Sequence, residues 1–200
     1  MKILIISHNP TSTVNNNGKT MLTLFSSFRK EELCQLYVAP AFPDVDKCSS
    51  YFRVTDKDVL KSYFKFKVEG RELKSSEIDS SHHIQYENEK DEKLYRNPKN
   101  KQPLRLLLRD IMWRCAKWYN KKLVAWITEQ QPTHIFIVPG MSKFIYNIAI
   151  KISKQFGLPI ISYICDDYYF VETPQSVLGK IRLCLLQRKI NILIVLVNMC

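Results

Sequence analysis

The feature that most narrows the folds open to this chain is its opening stretch, residues 1–28. Lys2-Ile-Leu-Ile-Ile-Ser7 is a β-branched apolar run, the pattern of a strand buried on both faces. A polar loop follows, ending in Asn15-Asn-Asn-Gly-Lys-Thr20. Met21, Leu22, Leu24, Phe25 and Phe28 then recur at helical spacing. Strand, polar loop and helix form the first half of a βαβ unit. In sheets built from such units ligands bind outside the carboxyl ends of the strands, where loops and helix N-termini present free N–H groups. The loop from Ser7 to Thr20 is therefore the first candidate site.

The rest of the chain repeats the alternation. Cys34-Gln-Leu-Tyr-Val-Ala39 reads as a second strand closed by Pro40, and Tyr51–Thr55 as a short third one. Asp56 is placed to cap a helix running through Phe64. Over residues 67–103 charged and polar residues dominate and no apolar period is sustained, which predicts a polar, mobile insertion rather than a second domain. His82 and His83 lie inside it, and adjacent histidines point different ways in regular structure, so they read as solvated.

Leu104 to Gln131 carries the longest helical signal, with Leu104, Leu108, Ile111, Cys115, Trp118, Tyr119 and Trp126 along one stripe. Arg114, Lys117 and Lys121 share another face. The helix reads either as a core helix with a solvated back or as a basic, aromatic-flanked helix resting on anionic lipid. Pro132 ends it. His134–Val138 and Pro159–Cys165 read as central strands joined by a Pro139-Gly140 turn and a helix from Lys143 to Phe156, with Ser142 as N-cap and Gly157 just past its end. Val177, Leu178, Ile181, Leu185 and Leu186 suggest one more helix, and the apolar tail from Ile190 reads as a last strand or as a truncated end. The fold class is thus α/β, a Rossmann-like parallel sheet with helices on both faces, in a single domain over residues 1–200.

A net charge of +11 favours an anionic partner, whether nucleic acid, a membrane surface or a phosphorylated substrate. No zinc-finger, RRM or KH pattern is present, so nucleic acid has charge alone behind it. The six cysteines include no Cys-x-x-Cys pair, which argues against a zinc or thioredoxin-like site and for buried free thiols in a reducing cytosol. The run Ile3–Ile6 is too short for a secretory h-region, and no segment reaches the ~18 apolar residues of a membrane span. The expected setting is cytoplasmic, free or peripheral at the inner face of the membrane.

Three features follow strands and would share one sheet edge: Asn15 to Thr20, the turn containing Gly140 and Ser142, and Asp166-Asp167. Gly18-Lys19-Thr20 is not a P-loop, because the glycine required five residues before Gly18 is Thr13. Asn15, Asn16 and Asn17 supply donors and acceptors that suit sugar hydroxyls, and Gly18 would let backbone approach a ligand, although an ordinary capped Asn/Gly turn accounts for the same residues. Asp166 and Asp167 are adjacent carboxylates after a buried strand, able to accept hydrogen bonds from hydroxyls or to act as a general base. As a metal site two adjacent residues are poor. His8 ends strand one and could line the same cleft.

Met1-Lys-Ile-Leu-Ile-Ile-Ser-His8 with its Asn-Asn-Gly loop resembles the N-terminal domain of GT-B glycosyltransferases of the broad family 4 group. Phe156-Gly-Leu-Pro-Ile-Ile-Ser-Tyr-Ile-Cys-Asp-Asp-Tyr-Tyr169 is similar to the strand that faces the acceptor cleft in those enzymes. The resemblance spans roughly Met1 to Lys189. It implies an acceptor-binding domain whose partner domain holds a nucleotide-sugar, in an enzyme building cell-surface polysaccharide on a sugar or lipid-linked acceptor. It implies that Asp166 and Asp167 orient or deprotonate the acceptor hydroxyl. Asn15, Asn16, Asn17, Gly18 and Lys19 would lie in the interdomain cleft near acceptor and diphosphate, and Gly140, Ser142 and Tyr168 would contact the ligand there. No cofactor besides the nucleotide-sugar donor is implied. The donor-binding domain and its acidic motif are absent from these 200 residues, so activity alone is not expected. The rival readings are a non-enzymatic module binding sugar, nucleotide or membrane, half of a split enzyme completed by a partner chain, and a dinucleotide enzyme. The last is weakened because no Gly-x-Gly-x-x-Gly follows any strand in a chain with five glycines.

Overall fold

Strand β1 (Ile3–Ser7) is buried along its whole length and lies inside the sheet, between β2 (Leu33–Tyr37) and β5 (His134–Val138). The computed structural model describes residues 1–65, 70–74, 77, 78, 85, 86, 89, 92, 93, 102–163 and 176–198. The other strands are β3 (Ser50–Arg53), β4 (Arg71–Glu72) and β6 (Ile160–Ser162). The helices are α1 (Asn16–Leu24), α2 (Asp56–Lys65), α3 (Pro103–Cys115), α4 (Lys121–Gln130), α5 (Lys143–Phe156) and α6 (Val177–Asn198). A 3-10 turn at Lys30–Glu32 leads into β2.

The six-stranded sheet has the order β4-β3-β2-β1-β5-β6, parallel throughout except for the antiparallel β3–β4 pair. The fold is Rossmann-like α/β. From β1 the chain moves outward to β2 and β3, then returns to place β5 on the other side of β1. The order therefore reverses between β1 and β5, and in such sheets the crevice at that reversal is the usual ligand site.

Strand alternation divides the core in two. Ile3 and Ile5 of β1 face Met21 and Phe25 of α1. Leu4 and Ile6 face the opposite layer, where α3, α4, α5 and α6 bring Trp113, Trp126, Ile148 and Leu186. α5 has the strongest apolar stripe, and Gly157 ends it at φ +66°, as its position predicted.

Several expectations change. Asn16 to Thr20 are the first turns of α1 rather than loop. Asn15 is the N-cap, its Oδ1 accepting the Gly18 N–H at 2.7 Å. Thr55, not Asp56, caps α2: its hydroxyl accepts the Asp58 N–H while the Asp58 carboxylate accepts the Thr55 N–H, a closed capping box. The stretch 104–131 is two helices, broken at Ala116–Asn120, where the Asn120 side chain accepts the Leu123 N–H and starts α4. Arg114, Lys117 and Lys121 therefore share no single helical face. Leu104, Leu108 and Ile111 point to solvent, and α3 is anchored instead by Asp110 and Trp113. Part of the polar insertion joins the sheet as β4, and the apolar tail continues α6 as helix to Asn198 rather than forming a strand. Cys34 and Cys48 are buried free thiols, but Cys115 and Cys184 are exposed. Burial pushes the Cys34 pKa up to about 12 and that of Cys48 higher still, so neither is reactive near neutrality. Among the described residues no helix is long and apolar enough to cross a membrane.

Candidate functional site at the reversal of strand order

Ser7 at the end of β1 pairs with Val138 at the end of β5, so the two loops that follow leave the sheet at the same level. The loop after β1 is held from beneath by Gln35 of β2, which is wholly buried. The Gln35 amide donates to Ser7 Oγ at 2.8 Å and to the Asn9 carbonyl at 3.2 Å, and its Oε1 accepts the Thr11 N–H at 3.1 Å. The His8 carbonyl accepts the N–H groups of Val38 and Ala39. These bonds occupy the polar groups that a loop over an apolar core would otherwise leave unpaired.

Further along, the loop wraps an internal carboxylate. Asp44 accepts the Thr13 N–H at 2.9 Å, Ser12 Oγ at 3.0 Å and Thr13 Oγ1 at 3.0 Å. Ser12 Oγ in turn accepts the Val14 and Asn15 N–H groups. The donors that a dinucleotide-binding fold turns toward a phosphate are thus already used inside the chain. Gly18 serves the same packing: a Cβ there would lie 2.6 Å from both the Cβ and the N of Ser12. The close approach is to the chain's own backbone. Asn16, Asn17 and Lys19 remain exposed on the outer rim of α1, while Gly18 is buried.

The second helix N-terminus at this edge is also filled from within. Ser142 holds the N-cap position of α5 but its side chain makes no capping bond. Asp110 of α3 reaches across instead, its Oδ1 accepting the Phe144 N–H at 3.2 Å. Burial raises the Asp110 pKa, against the pull of the Arg182 charge. Arg182, buried on α6, donates to the Met141 carbonyl in the same turn. Gly140, by contrast, faces open space, with nothing within 4 Å of a Cβ built on it.

Phe144 forms the wall between these groups. Trp113 stacks on it at 4.5 Å, the Arg109 guanidinium lies 4.8 Å from its ring centre, and the His8 ring stands 6.4 Å away. Asp56 holds both partners in place, accepting from Arg109 Nε at 3.0 Å and from Trp113 Nε1 at 2.7 Å. Burial, aided by the Arg109 charge, lowers the His8 pKa from 6.5 to about 3, so His8 is neutral across the physiological range.

The predicted residues thus fall into three groups. Asn15 to Lys19 and Gly140 with Ser142 come to one edge, on either side of the reversal. Asp166, Asp167 and Tyr168 lie outside the described residues, as do His82 and His83; the strand they were expected to follow, β6, ends at the same edge. Asp44, Asp110, Arg109 and Phe144 were not singled out from sequence, although Asp110 is the one acid in α3 and could have been noticed for that. A depression of about 380 Å³ lined by Ser50, Glu72 and Lys74 opens at the amino end of β3, away from this edge. Among the described residues no three His, Cys, Asp or Glu side chains are grouped to hold a metal. No family model, no curated protein and no solved structure matches the chain.

Proposed function

We propose that this chain is the acceptor-side domain of a GT-B type glycosyltransferase, receiving a sugar from a nucleotide-sugar held by a second domain or a partner chain. One observation carries the reading. At the carboxyl edge one N–H at each helix N-terminus, Gly18 of α1 and Phe144 of α5, is taken by the chain's own acceptors, Asn15 and Asp110, and the Thr13 N–H of the loop before α1 is taken by Asp44. Such an edge is ill-suited to a diphosphate and better suited to a neutral, hydroxyl-bearing ligand. The exposed amides of Asn16 and Asn17 and the open space at Gly140 provide a rim of that character. In the proposed reaction an acceptor hydroxyl oxygen bonds to the anomeric carbon, and the bond from that carbon to the diphosphate breaks. Asp166 or Asp167 takes the hydroxyl proton. The product would enter a cell-surface polysaccharide, on a sugar or lipid-linked acceptor.

The test is saturation-transfer NMR on the chain with a panel of neutral oligosaccharides, with uridine diphosphate and with NAD. Saccharide signals are expected, weakened by Gly140→Leu. Binding of NAD or the diphosphate at this edge, with no saccharide signal, would overturn the reading.

A further inference from the structure

The stripe that helical periodicity marks as core on α3 is its solvent face. At about 100° per residue, Leu104, Leu108, Ile111 and Cys115 fall within roughly 60° of one another, opposite Asp110 and Trp113. The three aliphatic side chains are each about half exposed. α2 packs beside α3, with the Tyr63 hydroxyl donating to the Met112 carbonyl at 2.6 Å. It carries two exposed apolar side chains of its own, Leu60, half exposed, and Phe64, 85% exposed. An apolar face of this kind on two adjacent helices marks an interaction surface.

The charges around it select the partner. On one flank Lys61 projects from α2. On the other, Arg114 of α3 lies in a group of cations with Lys143, Lys154, Arg188 and Lys189. Burial first, and then the repulsion of these four neighbours, lowers the Lys189 pKa. Among the described residues, Lys61, Arg114 and Lys189 form no ion pair. The acids of α2 and α3 are turned elsewhere: Asp56 to Arg109, Asp58 to Thr55 and Asp110 to Phe144. Uncompensated cations on both sides of an apolar stripe match the interface of an anionic bilayer, with the side chains at the acyl boundary and the cations at the headgroups.

We infer that the outer face of α2 and α3 is a docking surface for an anionic lipid bilayer, with Phe64, Leu108 and Ile111 inserting and Lys61 and Arg114 contacting headgroups. This stands on the exposed face alone and is independent of the sugar-handling reading.

The experiment is sedimentation of the chain with phosphatidylcholine vesicles, with and without about one-third phosphatidylglycerol. Partition is expected only onto the anionic vesicles and is expected to fall as salt rises. Phe64→Ser with Leu108→Ser should lower it by roughly tenfold. Lys61→Gln and Arg114→Gln should each lower it by about fivefold. A Leu108→Trp variant supplies a readout that does not depend on loss of function: its added fluorescence should be quenched by brominated lipid. Equal partition onto neutral and anionic vesicles, unchanged partition of the Phe64/Leu108 variant, or no added quenching would overturn the inference. So would a dimer in sedimentation velocity that the same variant dissolves without any vesicle binding, since the face would then belong to a second copy.

Discussion

Asp110 Oδ1 accepts the Phe144 N–H at 3.2 Å, so a side chain on α3 caps a helix that begins 33 residues later. The bond fixes the turn at Gly140 against the helical layer. It also places a carboxylate in the partial positive field of the α5 N-terminus, close to Arg182. Asp110→Ala leaves a buried N–H without an acceptor and should cost about 2–3 kcal/mol in urea unfolding. Asp110→Asn keeps an acceptor and should cost less. Because burial raises the Asp110 pKa above 3.8, the folded chain holds this proton more tightly than the unfolded one. The contribution is full below that value and is lost as pH rises through the raised one. The stability of Asp110→Asn relative to the parent should therefore improve as pH rises above 3.8. A pH-independent difference would mean that burial does not raise the pKa of this carboxyl group.

The Asp44 carboxylate takes the Thr13 N–H and the hydroxyls of Ser12 and Thr13 in the loop after β1. Asp44→Ala should destabilise the chain by about 2–3 kcal/mol, because the Asp44 bonds to Thr13 N–H and to the hydroxyls of Ser12 and Thr13 are lost. Sulfate should then restore stability in the variant and not in the parent, by about 1.4 kcal/mol at ten times its dissociation constant. Thermal midpoints of both proteins with and without sulfate check this. Equal shifts in the two would show that the loop donors do not form an anion nest.

Gly18 and Gly140 separate packing from ligand access. Gly18→Ala puts a Cβ 2.6 Å from Ser12 backbone and should cost about 1–3 kcal/mol despite the better helix propensity of alanine. Gly140→Ala meets nothing within 4 Å and should stay within about 0.5 kcal/mol of the parent. Denaturant midpoints for the pair should therefore differ clearly. If Gly18→Ala were neutral, the close approach to Ser12 would not constrain α1.

What could be read from sequence follows the range of the interaction. β1 and β5 are continuous apolar runs because a strand covered on both faces has no polar side, and α5 carries its own stripe and terminal glycine. Those signals are local, and they led to the Rossmann-like sheet. α3 misled because periodicity measures amphipathicity without saying which face is inward. Leu104, Leu108 and Ile111 have the spacing of a core stripe, yet Asp110 and Trp113 make the inward contacts. The break before Asn120 contains neither proline nor glycine, so only the Asn120 cap announced it. β4 is two residues long and exists only by pairing with β3. At the candidate site, Asn15 as cap was legible from residue type, whereas Asp44 and Asp110 act across more than thirty residues, which no local pattern encodes.

His8 gives the fold a pH dependence of its own. Its ring lies near Phe144, and burial with the Arg109 charge lowers its pKa from 6.5 to about 3. Between these values the unfolded chain binds a proton that the folded chain does not. The stabilisation is complete above pH 6.5 and falls as the solution is acidified, by up to about 1.4 kcal/mol per pH unit, until the folded pKa is reached. His8→Gln has no proton to bind and should lose this slope, whatever its stability at neutral pH. Urea midpoints of parent and variant, measured from about pH 7.5 to pH 4.5, should shift relative to each other in the variant's favour as pH falls. Parallel profiles would show that His8 is not the group that couples folding to pH, and that the wall around Phe144 is open enough to admit an imidazolium.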